Sequence, residues 1–182
     1  MKLEKRFCVQ DNKLFFIEGN KAFPLADARL SAADCTAAFT AAGALPAGLS
    51  SLLLLELPWT QVGCDEASYN EEFLAAFRDF LKALEDKGGY AAIVPVADRQ
   101  PVPGAADGGD EAGSWEALTA SFKHCARRIK DCASVAGFAV PACLSGGDAD
   151  FFMEELSAKH GQYVFFSADP ALLKNPELVR LP

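Results

Sequence analysis

The sequence has little of what an exported, membrane-spanning or metal-binding protein requires. No apolar run approaches the roughly 18 residues of a transmembrane helix, and residues 1–10 mix charged and apolar side chains instead of forming a signal peptide. Histidine occurs only 2 times, and none of the 6 cysteines stands in a C-x-x-C pair, which argues against a zinc site. We therefore expect a cytoplasmic protein with reduced cysteines, no metal and no cofactor.

The charge balance narrows the range of partners. The 182 residues carry a formal net charge of −8, so neither nucleic acids nor anionic membranes are expected to bind. Hydrophobic residues make up 51% of the chain, which is enough for a core and argues against disorder. The length predicts a single α/β domain over residues 1–182.

Strand-like and helix-like segments alternate along most of the chain. Phe73, Phe77 and Phe80 repeat at helical spacing within residues 70–87, and a second such stripe begins at Trp115. Segments that are apolar almost throughout are typical of strands buried on both faces of a parallel sheet. Four segments have this character: residues 49–57, 90–96, 135–140 and 162–166. The alternation predicts a parallel sheet, either part of a (β/α) barrel or an open doubly wound sheet.

Three further segments complete the predicted architecture. Residues 11–25 read as an N-terminal β-hairpin that turns at Gly19-Asn20. A short helix is expected over residues 31–43. Residues 98–113 are rich in glycine, proline and aspartate, which predicts a flexible acidic loop or lid.

Segment by segment, this framework resembles the first half of the cellulase-like glycoside hydrolase barrels. DNKLFFIEGNKAFPL is similar to their N-terminal hairpin, and LSSLLLLELPW is similar to their second strand. The next helix and the third strand of the family are similar to SYNEEFLAAFRDFLKALEDKGGYAAIVPVAD. The helix that follows and the fourth strand are similar to SWEALTASFKHCARRIKDCASVAGFAVP. The resemblance covers residues 11–166 and implies half of a TIM barrel with a hairpin in front.

The positions that carry chemistry in that family are different in this chain. Glu56 stands where the family has an arginine, and Ala97 where it has a histidine. Ala142 and Cys143 replace the asparagine and the acid/base glutamate, and the nucleophile would come from a seventh strand. Because glycoside hydrolysis normally requires two carboxylates, the resemblance implies a degenerate active site.

Candidate site residues follow the predicted strand ends, since ligands bind at the carboxyl edge of parallel sheets. Glu56 and Asp98 could be relocated catalytic carboxylates, but simple solvation or a salt bridge with Arg99 is the favoured explanation of these acids. Trp59 could stack on a sugar or cap the core. The predicted ligand-binding residues are Trp59, Arg99, Cys143, Ser145 and Asp169.

Two of these candidates have competing explanations. Cys143 could act as a nucleophile with His124 or His160 as its base, but no motif supports such a dyad. Ser145 opens a glycine-containing turn that could hold an anion, but capping of the next helix also explains it.

Three functions remain open from the sequence. The first is a non-catalytic, glycoside-hydrolase-like domain that binds a carbohydrate, another small molecule or a protein partner at the strand ends. The second is an active glycosidase that uses Glu56 and Asp98. The third is a structural protein that dimerises, because an incomplete barrel leaves sheet edges open. On the same ground we expect a homodimer.

Overall fold

Two β-sheets form the centre of the protein in a computed structural model that describes residues 3–31, 51–63, 68–100 and 115–182. The smaller sheet is antiparallel, with the order β1-β2-β3. Its strands are β1 (Phe7–Gln10), β2 (Lys13–Phe16) and β3 (Lys21–Ala22). The larger sheet consists of β4 (Leu25–Leu30), β5 (Leu52–Pro58), β6 (Ala91–Val96), β7 (Val135–Ala139), β8 (Val164–Ser167) and β9 (Leu178–Arg180).

The larger sheet has the strand order of a partial barrel. All of its neighbouring strands are parallel, and each strand lies beside the next one in sequence, from β4 to β9. A doubly wound sheet would reverse its order at a switch point, so this alternative is wrong. The predicted strands correspond to β5, β6, β7 and β8, whereas β4 was not predicted because charged residues interrupt it, and β9 because it is short.

Helices cover the outer face of the large sheet. In the described residues they are α1 (Trp59–Val62), α2 (Glu71–Asp86), α3 (Glu116–Arg128) and α4 (Gly146–Ser157), with short 3-10 helices at Glu18–Asn20 and Leu172–Lys174. None of them is long and apolar enough to cross a membrane. The helix predicted over residues 31–43 lies outside the described residues from position 32 onward, and so does the loop 98–113 from position 101 onward.

The two faces of the large sheet bury different sets of side chains. On the outer face Leu53, Leu55 and Leu57 of β5 pack with the phenylalanines of the helices. The apolar side chains that repeat at helical spacing in the sequence are therefore the helix faces that pack on the sheet. On the inner face Leu52 and Leu54 pack with residues of the small sheet. The run of leucines in the sequence is therefore one strand buried on both sides, as predicted.

The small sheet closes the N-terminal end of the inner face. Phe7 and Leu14 are almost fully buried in the inner core. Phe7, Phe16, Phe23 and Tyr90 form a cluster of rings whose centroids lie 4.8–5.8 Å apart, mostly edge to face. This aromatic cluster fixes the small sheet against the start of β6.

The predicted N-terminal hairpin needs a correction. The tight turn is at Asp11-Asn12, whose φ angles are 49° and 57°, and it joins β1 to β2. Gly19-Asn20 lies in the 3-10 helix that joins β2 to β3, and Leu25 already begins β4. Aspartate and asparagine tolerate the left-handed region of φ, so the Asp11-Asn12 signal was present but not recognised.

The Asp11-Asn12 turn also covers the outer edge of β9. The Asn12 side-chain amide donates to the carbonyl oxygens of Leu178 at 2.7 Å and Asn175 at 3.0 Å. The Arg180 N–H donates to the Asn12 carbonyl oxygen at 2.9 Å. These groups of β9 face away from β8, so the turn satisfies an edge that would otherwise be open. The predicted homodimer stays a prediction, and β9 does not offer it an open edge.

Replacing Asn12 with glycine tests this edge contact. Glycine keeps the left-handed backbone but removes both side-chain hydrogen bonds, so the free energy of unfolding should fall by about 1–2 kcal/mol. The control is Asp11→Gly, because Asp11 has a similar φ and no side-chain hydrogen bond within the described residues. Urea unfolding followed by circular dichroism measures both variants. Equal losses in the two variants would mean that the amide contributes nothing.

Gly137 in β7 tests the closest approach in the large sheet. A Cβ atom at this position would lie 1.7 Å from the carbonyl oxygen of Val164 in β8, so the strands must separate to accept it. We expect Gly137→Ala to cost at least about 3 kcal/mol in urea unfolding or to prevent folding. A Cβ at Gly161 would meet no such neighbour within 4 Å. Gly161→Ala should therefore stay within about 0.5 kcal/mol of the unchanged protein.

Candidate functional site

A cleft opens on the inner face of the large sheet at the carboxyl ends of its strands. Its volume is about 720 Å³. It begins where the inner core ends, because Glu56 lies two residues beyond Leu54 on the same face of β5. The described lining residues are mainly apolar, and they include Arg29, Glu56, Val94, Val140, Cys143, Asp169, Leu172 and Leu181.

An ion pair between neighbouring strands is the main polar feature of the cleft. Arg29 Nη1 of β4 lies 2.6 Å from Glu56 Oε1 of β5, with side-chain exposures of 44% and 21%. A pair this exposed contributes only about 0–1 kcal/mol to stability. Sequence reasoning found Glu56 but missed Arg29, because β4 was not recognised as a strand.

Asp98 is not among the described residues that line the cleft. Its carboxylate accepts hydrogen bonds from the Thr60 backbone N–H, at 3.0 Å, and from the Thr60 hydroxyl. It therefore satisfies the first turn of α1, where a negative charge also suits the helix dipole. The structure does not bring Glu56 and Asp98 together as facing carboxylates in this cleft. The pairing of Asp98 with Arg99 is not the contact that is observed.

Trp59 and Arg99 contact each other beside α1. The Trp59 indole is 2% exposed, and its Nε1–H donates to Ser121 Oγ at 3.1 Å. Arg99 Cζ lies 4.0 Å from the centroid of the Trp59 ring, in cation–π geometry. Trp59 therefore occupies the core-capping position that the sequence left open as an alternative, and Arg99 covers its ring.

Cys143 and Asp169 both line the cleft, on the loops after β7 and β8. Partial desolvation, followed by the charge of Asp148, raises the pKa of the Cys143 thiol. The thiol is thus less available as a thiolate nucleophile at neutral pH. Asp169 Oδ1 accepts a hydrogen bond from the Ala171 N–H at 2.8 Å, so it shapes the loop as well as the cleft.

Ser145 and the two histidines lie elsewhere. Ser145 is the exposed N-cap residue of α4, although its side chain makes no capping hydrogen bond. His124 stacks on Tyr69 at 3.8 Å and contacts Glu71 Oε1 at 2.7 Å. His160 is buried beyond the end of α4. Neither histidine lines the described cleft with Cys143, so the proposed dyad is not assembled there.

The described residues offer no group of three or more histidine, cysteine, aspartate or glutamate side chains that could hold a metal ion. What the cleft presents instead is a guanidinium, two carboxylates and one thiol above apolar walls. Such a set can form hydrogen bonds to hydroxyl or amine groups of a small molecule.

Comparisons with known proteins add information on the fold only. No family model and no curated protein sequence matches the chain. A crystal structure of a GH5_18 protein from Bifidobacterium longum subsp. infantis has a TM-score of 0.44 and 12% identity, over 65% of this chain and 35% of that one. A structure described as a glycoside hydrolase has a TM-score of 0.49 and 10% identity, over 90% of this chain and 40% of that one. The chain thus spans less than half the length of either structure.

The buried His160 predicts a pH dependence of stability. Burial, assisted by Lys130, Arg127 and Lys159, lowers the pKa of His160 below 6.5. Below about pH 6.5 His160 is protonated more readily in the unfolded chain than in the folded chain. The free energy of unfolding should therefore fall as the pH decreases. Chemical unfolding between about pH 7.5 and 5 measures this slope.

The variant His160→Gln should reduce that slope, because it removes the titrating group. His124→Gln is the matched control and should keep the part of the slope that comes from His160. An unchanged slope in His160→Gln would contradict the assignment.

Proposed function

We propose that this chain is a binding domain rather than a hydrolase, and that it binds a small, hydroxyl-rich ligand of the carbohydrate class in the cleft. The single observation that carries the proposal is the Arg29–Glu56 pair at the wall of the cleft, 2.6 Å between Nη1 and Oε1. A hydroxyl group both donates and accepts, so a guanidinium next to a carboxylate can satisfy it in both roles.

The walls of the cleft support the same ligand class. Val94, Val140, Leu172 and Leu181 offer apolar surface on which the C–H face of a sugar ring can rest. The described lining residues include no aromatic ring, because Trp59 is buried elsewhere, so binding is expected to be weak.

The positions of the carboxylates favour binding over catalysis. Glycosidases place two carboxylates about 5–10 Å apart on either side of the bond that breaks. Here Glu56 contacts Arg29, and Asp98 accepts from Thr60. Both acids have structural partners, and of these two only Glu56 lines the cleft. The other carboxylate of the cleft, Asp169, accepts the hydrogen bond from the Ala171 N–H.

Alkylation of Cys143 reports on occupancy of the cleft. We expect cellobiose to slow the reaction of Cys143 with iodoacetamide, measured by mass spectrometry of the peptide, because the thiol lies in the cleft wall. Cys8 lies in β1, away from this cleft, and its reaction rate should not change. The variant Arg29→Gln should lose most of the protection, since it removes the charged donor beside Glu56. Equal rates with and without sugar, for cellobiose and for a panel of other disaccharides, would overturn the ligand class.

A hydrolysis assay separates binding from catalysis. With 4-nitrophenyl β-cellobioside and related chromogenic glycosides we expect no release above buffer. Release that disappears in Glu56→Gln or Asp98→Asn would show a working glycosidase and refute the proposal.

A further inference from the structure

Among the described residues β1 is the terminal strand of the small sheet and pairs only with β2, so no described strand lies on its outer edge. It lies at the N-terminal end of the large sheet, opposite the cleft, next to the start of β8 and the second half of α4. A strand edge of this kind can accept another strand.

The hydrogen-bond pattern identifies which groups of β1 are open. The Ile17 N–H donates to the Arg6 carbonyl oxygen at 2.9 Å, and the register pairs Phe7 with Phe16. In an antiparallel ladder alternate residues face the partner strand, so Cys8 faces β2 while Phe7 and Val9 face outward. Within the described residues no hydrogen bond reaches the main-chain groups of Phe7 or Val9. Val9 is partly exposed and lines the groove described below, so it presents one N–H and one C=O to the exterior, whereas Phe7 is 2% exposed and its outward groups are not accessible.

A groove of about 630 Å³ runs along this edge. One side is formed by Lys5, Cys8 and Val9, and the other by α4. Its floor is apolar and is built from Met153, Tyr163, Val164, Phe165 and Leu178. An extended segment of a few residues fits a space of this kind, with its main chain beside β1 and alternate side chains on the floor.

The walls of the groove are acidic. Asp150, Glu154 and Glu177 line it and are exposed, and Lys5 is the only basic residue among the described lining residues. None of the three carboxylates forms an ion pair within the described part of the chain. The charge therefore favours a segment that carries lysine or arginine.

We propose that this groove binds an extended, basic peptide segment of another protein, which adds to the small sheet as a fourth strand on the outer edge of β1. Main-chain hydrogen bonds to Val9 hold the segment, and its cations lie against Asp150, Glu154 and Glu177. Apolar side chains at alternate positions contact the floor. The surface is separate from the cleft and does not depend on the function proposed for it.

Synthetic peptides test the mode of binding with the unchanged protein. The probe is fluorescein-labelled Lys-Val-Lys-Val-Lys-Val amide, measured by fluorescence polarisation. In a bound strand only alternate amides face β1, so N-methylation of one set should abolish binding and N-methylation of the other set should leave it. The matched Glu-Val peptide should not bind. The proposal is overturned if both methylated peptides still bind or if neither of them binds. It is also overturned if the Glu-Val peptide binds as well as the probe, or if the probe does not bind.

Protein variants test the groove itself. Val9→Pro removes an outward N–H that the β1–β2 ladder does not use, and proline is tolerated on edge strands. It should weaken binding on the order of tenfold, with folding checked by circular dichroism. Glu154→Gln should weaken binding severalfold and reduce its salt dependence. Asp86→Asn, an exposed change outside the groove, is the control and should have no effect. Unchanged affinity in both Val9→Pro and Glu154→Gln overturns the proposal.

Light scattering distinguishes a second copy of this chain from a foreign peptide. We expect no dimer that depends on β1. A second copy would be the occupant if the protein forms a dimer that Val9→Pro dissociates and that the Lys-Val peptide does not displace. This result would overturn the peptide assignment.

Discussion

The contact between the small sheet and the inner face of the large sheet is the constraint on which the rest of the structure depends. A parallel sheet must bury both faces, and the described helices cover the outer one. Phe7 and Leu14 cover Leu52 and Leu54 on the inner face. In a complete barrel the opposite strands would provide this burial. The N-terminal strands provide it instead, so a six-stranded part of a barrel has a closed core.

This arrangement also determines where the cleft lies. The small sheet fills the N-terminal end of the inner face, and among the described residues the carboxyl ends of the strands line an open cleft. Glu56 continues the inward-facing series of Leu52 and Leu54, but it lies beyond the small sheet. A charged side chain is tolerated there because Arg29 on the neighbouring strand pairs with it and solvent reaches both.

The sequence predicted those helices and strands that have a long, regular series of apolar residues. The strand of residues 52–58 and the helix of residues 71–86 were predicted because long apolar series have a clear period. β4 contains charged residues and β9 is short, and both were missed because such strands depend on pairing with neighbours, which the local pattern does not contain. Arg29 was missed with β4. Trp59 was ambiguous, since exposure is decided by α3 and Arg99, which come from distant parts of the chain.

The same N-terminal unit creates opposite conditions at two strand edges. At β9 the turn brings Asn12 to the outward groups of Leu178 and Arg180, so that edge has its hydrogen bonds within the chain. At β1 no described segment forms hydrogen bonds to the outward groups of Val9. Proteins usually protect open edges by keeping them short or by placing charges beside them, and β1 is both short and preceded by Lys5 and Arg6. These cations repel basic segments only weakly, because the opposite wall carries three carboxylates. The charges around this edge therefore fit the cationic segment that we propose as its partner.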